Sequence, residues 1–252
     1  LEPRLAVDFP EVSEDGLTYT YTLRDDATFP DGTVLTAEMY AESVRRAIRL
    51  EADPFGLISM LAAVDGNGCM IRDDAEGNEL PQNESCELVN EDGEPYSEEE
   101  LAEISSSPRP MVEAGENNTV VFTLNEPFAL FPVITALPPT YPAHPDFFPT
   151  DEINNQPEQL VGVGAYQVVE YTLGEQTVLE RNPNYFGDRT GEFDRIVIVY
   201  YEEPSQLDLA IENGEIDMAW RSNTVSEVPR LGEVEDLEVL TMSGGIRYLI
   251  IN

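Results

Sequence analysis

Residues Ser13–Ile48 read SEDGLTYTYTLRDDATFPDGTVLTAEMYAESVRRAI, and they set the fold class by local pattern alone. Leu17, Tyr19, Tyr21 and Leu23 alternate with Thr18, Thr20, Thr22 and Arg24. That period of two predicts a half-buried strand. Phe29-Pro30-Asp31-Gly32 carries Pro and Gly where a type I turn takes them. Thr36 then offers an N-cap hydroxyl, with Glu38 in the first turn. Ala37, Tyr40, Ala41, Val44, Ala47 and Ile48 form one helical stripe. Arg45, Arg46 and Arg49 fall in the last turns, where cations suit the helix dipole, and this accounts for the arginine cluster.

Further along, residues 119–124, 166–172, 176–181 and 195–201 read as strands. The segment 195–201 (RIVIVYY) is apolar almost throughout, as a strand buried on both faces requires. Pro204–Asn213 reads as a helix with Gly214 beyond its end, and 215–220 as a returning strand, giving a parallel βαβ unit. Segments 238–242 and 247–252 add strand-like sequence around Ser243-Gly244-Gly245. Pro127–Pro149 (PFALFPVITALPPTYPAHPDFFP) is rich in proline and aromatics and predicts an extended crossing between lobes. The fold class is α/β with mixed sheets.

The 252 residues hold 13 arginines, no lysine and 50 acids, a formal charge of −37. An apolar fraction of 41% is enough for a core, so the charge does not signal disorder. Nucleic acid and anionic membrane surfaces are excluded as partners, because both are held by cations. The absence of lysine removes Walker A, Schiff-base and kinase-type chemistry. No apolar run reaches the length of a membrane-spanning helix. Residue 1 is Leu and no signal peptide precedes it, which reads as a piece of a longer protein. Arginine without lysine and the acid excess suggest a saline habitat or a GC-rich genome.

Residues 65–107 are an acidic, Gly/Asn-rich outlier. Cys69 and Cys86 lie within it, and a disulfide between them would hold a loop that burial cannot, pointing to an oxidising, extracytoplasmic setting. Ser97-Glu98-Glu99-Glu100 is a capping box opening a short helix. Asn90–Gly93 with Glu99 resembles part of a calcium loop, but its first ligand position is Leu88, so it fails as an EF-hand. Two sequons, at Asn83 and Asn117, read as chance in Asn-rich sequence.

Reaction chemistry is sparse. The single histidine, His144, has no Cys or His neighbour and no G-x-S-x-G serine, and reads as a loop residue. Gly162-Val163-Gly164 lacks the third glycine of a dinucleotide fingerprint and precedes a strand; it reads as a turn permitting close backbone approach. With 50 acids, no carboxylate pair is informative. No enzyme, metal or cofactor is expected; a binding module is.

Several blocks carry a resemblance. Ser13–Ile48, VVFTLNEP (120–127), VGVGAYQV (161–168), VLERNPNYFG (178–187), ENGEIDMAW (212–220) and YLIIN (248–252) together resemble, in order and spacing, family 5 extracellular solute-binding proteins, the oligopeptide, dipeptide and nickel-type receptors of ABC importers. The resemblance implies a periplasmic-binding-protein-like fold of the class II, cluster C type. It implies a small second domain over 1–143 with the 65–107 insertion, the central part of the first lobe over 144–242, and a hinge strand over 243–252 leading to an absent third domain. It implies capture of a peptide or similar small solute by hinge closure, delivery to a membrane permease, a monomer, and an extracytoplasmic, lipid-tethered location. Carried over by position, Ser243, Gly244, Gly245 and Tyr248 would line the cleft on the hinge strand. Arg221 would hold a ligand carboxylate or pair with a surface acid. Tyr141 and Phe55 are aromatic candidates, with core packing the competing role for Phe55, and Asp217 reads as structural. Gly164-Ala165-Tyr166 and Tyr185-Phe186 depart from the family's Gly-Pro-Tyr and Tyr-Trp, and 65–107 has no clear family equivalent. The reading from a different class is an acidic cell-surface interaction or calcium-binding module.

Overall fold

A computed structural model describes residues 2–51, 60–104, 106–148, 161–188, 193–220 and 227–240. By compactness the chain divides into Leu1–Tyr171 with Val178–Ile196, and Thr172–Thr177 with Val197–Asn252.

The first unit is built on the strand, turn and helix expected at 17–48. Strand β1 (Glu11–Val12), β2 (Thr18–Thr22), β5 (Val112–Ala114) and β6 (Thr119–Thr123) form an antiparallel sheet in the order β1-β2-β6-β5. The β2–β6 register sets Tyr19 opposite Phe122 and Tyr21 opposite Val120. Helix α1 (Ala37–Arg49) buries Ala37, Tyr40, Ala41, Val44 and Ile48, the stripe the sequence marks except for the half-buried Ala47. Tyr40 meets Phe122 edge-on at 6.3 Å, and Phe122 meets Phe131 at 5.3 Å. Burying a ring of this kind contributes roughly 2 kcal/mol. Arg45 donates from Nε to the carbonyl of edge residue Val112 at 3.0 Å and pairs with Glu38 at 2.7 Å. The guanidinium thus ties a strand edge to the first turn of the helix.

The start of α1 is capped twice. Thr36 Oγ1 accepts from Met39 N at 3.2 Å, and Asn118 Oδ1 accepts from Ala37 N at 2.8 Å. Asn117 and Asn118 both sit in the left-handed region (φ 55° and 57°), which asparagine tolerates. Thr36→Ala is expected to cost about 1 kcal/mol, with Thr36→Asp close to wild type, in urea melts followed by circular dichroism.

The acidic insertion is held by turns. Asp65, Asp74, Asn83 and Asn90 each accept on Oδ1 from the backbone amides two and four residues on, at 2.7–3.1 Å. The residue three positions on is left-handed every time: Gly68, Gly77, Cys86 and Gly93. Each turn is closed by a bridge between residues six apart: 64 with 70, 73 with 79, 82 with 88, 89 with 95. The amides of Cys69 and Asn67 hold the Asp65 carboxyl below its ordinary range. The expected disulfide joins Cys69 to Cys86, with Cα atoms 5.2 Å apart. β3 (Arg72–Asp73) pairs with β4 (Ser107–Pro108), and Arg109 forks onto Asp73, with Nε to Oδ2 at 2.9 Å. Ser97 opens the helix Glu98–Glu103 with the predicted capping box. The Asn83 amide nitrogen is spent on Glu87 at 2.9 Å.

Strands β7 (Tyr166–Thr172), β8 (Gln176–Arg181) and β9 (Arg195–Val199) form a sheet in that order. The helix Pro204–Glu212 ends before Gly214 at φ 68°, the left-handed stop glycine favours.

Five readings are corrected. β9 forms but is not buried: Val197, Ile198, Val199 and Tyr200 are 42–49% exposed, because no described element covers its faces. Residues 215–220 are turn and irregular chain with no ladder partner, so the parallel pair of the βαβ unit is absent among the described residues. The proline-rich stretch is not extended throughout. Phe131–Ile134 is a helical turn and Pro138–Thr140 a 3₁₀ turn, because proline's fixed φ suits a first helical turn. Glycine is not demanded by close approach in 162–164: a Cβ would meet Pro142 O at 3.8 Å from Gly162, and Tyr166 O at 3.6 Å from Gly164. Residues 238–240 are not strand, and 241–252 lie outside the described residues.

Candidate functional site

The first unit contains a cavity of about 480 Å³, within the range of small-molecule pockets. Its floor is the inner face of the sheet and helix, through Tyr21, Leu23, Tyr40 and Phe122. One wall is the proline-rich stretch at Pro132, Thr135, Ala136 and Thr140–Pro142; the other is Gly162–Gly164 with Tyr185 and Phe186. Glu2–Ala6, Asp8 and Phe9 complete its lining.

Period two brings Tyr21 to this face beside Tyr19, and the helical period brings Tyr40. The Tyr21 hydroxyl is anchored by the proline-rich wall. Tyr21 and Thr135 Oγ1 are 3.1 Å apart, and Thr135 in turn donates to Pro132 O at 3.1 Å. Burial raises the pKa of both Tyr21 and Tyr40, so these phenols stay protonated. The hydroxyl of the buried Thr140 is shared between Thr135 O at 2.8 Å and Leu137 O at 2.9 Å. Tyr141 donates to Ala136 O at 3.2 Å. At the far wall Arg24 forks onto Asp26 at 2.8 Å on both arms and lies over the Phe186 ring at 5.2 Å.

Within this lining Arg4 pairs with Glu2 at 2.7 Å. Asp8 accepts from its neighbour Phe9 N at 2.7 Å and has no ion-pair partner among the described residues.

Of the residues proposed from sequence to bind ligand, Tyr141 lines this cavity and is 57% exposed. Phe55, Arg221, Ser243, Gly244, Gly245 and Tyr248 lie outside the described residues. Tyr21, Tyr40 and Phe122 were legible as core but not as a cavity wall. The available signal was chemical: a tyrosine where leucine would fill a core needs a partner for its hydroxyl.

His144 is not the plain loop residue the sequence suggests. It is 2% exposed, between Phe29 at 4.7 Å and Phe147 at 5.1 Å. Nδ1 accepts from Asp146 N at 3.2 Å; Nε2 lies 3.2 Å from Asp31 Oδ2 but out of line for a hydrogen bond. The turn that carries Asp31 and the proline-rich stretch are thereby packed through an aromatic contact. No group of three metal-ligating side chains is placed to hold an ion among the described residues.

The model of the bacterial extracellular solute-binding proteins, family 5 Middle, matches residues 1–252. Protein XP55 of Streptomyces lividans is 29% identical over 191 residues, covering 75% of this chain and 26% of that protein. The probable D,D-dipeptide-binding periplasmic protein DdpA of Escherichia coli K12 is 24% identical over 213 residues, covering 83% and 32%. Among solved structures, the clavulanic acid biosynthesis oligopeptide binding protein 2 superposes with a TM-score of 0.64 at 24% identity, covering 93% of this chain and 38% of that one. The chain therefore spans about a quarter to a third of the curated relatives it matches.

Proposed function

The chain belongs to the bacterial extracellular solute-binding proteins, family 5, and from this we propose that it is part of the receptor of an ABC importer, capturing a peptide or similar small solute without transforming it. The observation that carries the reading is the family match along the whole chain. The fold agrees: it is the family's periplasmic-binding-protein fold, of which this chain is a fragment. The names of the relatives favour dipeptides and oligopeptides as the ligand class.

In this proposal 1–143 is the small second domain, 144–242 the central part of the first lobe, and 243–252 the hinge strand toward a further domain. Ligand bridges two lobes and stabilises their closed arrangement, which the permease recognises. Ser243, Gly244, Gly245 and Tyr248 line the hinge side of the cleft, Arg221 takes a ligand carboxylate, and Tyr141 and Phe55 contribute from the small domain. The protein works outside the cytoplasm as a lipid-tethered monomer, and the Cys69–Cys86 disulfide supports that setting.

Calorimetry on the full-length protein tests this. Titration with a mixed pool of di- to pentapeptides is expected to give saturable heat, and titration with Ca²⁺ none. Sub-millimolar Ca²⁺ binding without any peptide heat would replace the transport reading with a calcium-binding one.

A further inference from the structure

We propose that the Cys69–Cys86 disulfide is a thiol-exchange site, opened by attack on Cys86 and selective for thiols that carry a positive charge. The inference goes beyond the solute-binding reading and needs no bound solute.

The first argument is access. Cys69 is 1% exposed, whereas Cys86 is an exposed residue. A thiolate displaces a disulfide sulfur along the axis of the bond, from the side opposite the departing sulfur. Attack on Cys86 Sγ therefore comes from the exposed end of the cross-link. Attack on Cys69 Sγ would have to come through the packing that buries Cys69. The thiol gives its proton to water, and its sulfur then bonds to Cys86 Sγ. The bond between the two cysteines breaks, and its electron pair leaves on Cys69 Sγ, which takes a proton from water. The products are a mixed disulfide on Cys86 and a thiol on Cys69, and the attacking thiol is the one co-reactant.

The second argument is the conformation that the cross-link holds. Cys86 has a φ of 66°, in the left-handed region that Gly68, Gly77 and Gly93 occupy in the other three turns. A residue with a β-carbon is disfavoured there. Opening the cross-link frees Cys86 to leave that region, so the local backbone does not oppose exchange.

The third is charge. Glu84 and Glu87 flank Cys86 in the chain, and neither has an ion-pair partner among the described residues. The nearest arginines in sequence pair elsewhere, Arg72 with Glu51 at 2.8 Å and Arg109 with Asp73 and Glu79. A thiolate approaching Cys86 enters a negative field, and one that carries its own ammonium is repelled less. Salt shortens the reach of that field, from ~10 Å at 0.1 M to ~3 Å at 1 M.

The test exposes the 252-residue chain to two small thiols, cysteamine and 2-mercaptoethanesulfonate, at equal thiolate concentration. Samples taken at low conversion are quenched with N-ethylmaleimide in urea and cut with trypsin. Cleavage after Arg72 puts the two cysteines on different peptides, which mass spectrometry reads. The mixed disulfide is expected on Cys86 and the maleimide on Cys69, at least about tenfold over the reverse. Cysteamine is expected to react at least about tenfold faster than 2-mercaptoethanesulfonate in dilute buffer, and within about twofold of it at about 1 M sodium chloride. Glu84→Gln combined with Glu87→Gln is expected to narrow the gap in dilute buffer. A mixed disulfide on Cys69, or an even split, would overturn attack at Cys86. Equal rates in dilute buffer, or a rate ratio that salt leaves unchanged, would overturn the selection by charge. No exchange with either thiol would overturn the site itself. Each of these outcomes leaves the receptor reading standing, because no solute enters the experiment.

Discussion

The melting temperature of this chain is expected to rise by about 10 °C between about 0.1 and about 2 M sodium chloride, equivalent to roughly 3 kcal/mol for a protein of this size. The reason is an excess that cannot be paired. Fifty carboxylates face 13 arginines and no lysine, so at least 50 − 13 = 37 have no cation of their own. Several arginines are already shared between two acids. Arg45 serves Glu38 and Glu42, Arg109 serves Asp73 and Glu79, and Arg230 serves Asp208 and Glu212. The remaining repulsion acts through solvent over distances near the Debye length, which falls from ~10 Å at 0.1 M to ~3 Å at 1 M. Compaction gathers like charges, so screening favours the folded chain. Scanning calorimetry across the salt series, with sucrose as an uncharged control, measures the effect. A melting temperature independent of salt would remove the saline-adaptation reading. A rise reproduced by sucrose would assign it to solvent exclusion rather than to charge.

Replacing Cys69 and Cys86 by serine is expected to unfold the acidic insertion while leaving the rest of the first unit intact. In the chain-entropy account a cross-link over 17 residues contributes about 3 kcal/mol, or roughly a hundredfold in local opening. Little else in the insertion opposes opening. Its buried apolar residues between 65 and 100 are Cys69, Leu88 and Val89. Its other supports are short bridges and Asx-anchored turns, open to water along most of their length. The disulfide joins the end of the first turn to the left-handed position of the third, where the other turns carry glycine. Hydrogen exchange followed by mass spectrometry reads the outcome. Peptides over 66–96 lose protection, and those over 18–22 and 119–123 keep it. Loss of protection in the β2–β6 pair as well would show that the insertion and the sheet unfold together. Unchanged protection in 66–96 would show that the turns suffice.

Much of the fold was legible because its signals are local. The stripe of α1, the Thr36 cap, the capping box at Ser97 and the alternation of β2 all depend on neighbours within four residues, and all are present. The insertion was legible as an outlier but not as a series. Its Asp/Asn-x-x-Gly repeat is interrupted by Cys86, whose φ of 66° follows the glycines' conformation without their sequence mark.

What failed to show in the sequence shares one cause. Periodicity states which face of an element is apolar, and is silent on what covers that face. RIVIV has the composition of a doubly buried strand, yet β9 lies largely exposed. His144 has the neighbours of a loop residue, yet two phenylalanines enclose it. The sequence by itself determined the local elements, the disulfide, the charge and the family. Only the tertiary structure decided where the proline-rich stretch packs and which tyrosines share a cavity. Those properties depend on side chains a hundred residues apart, such as Tyr21 and Thr135, and no local pattern encodes their distance.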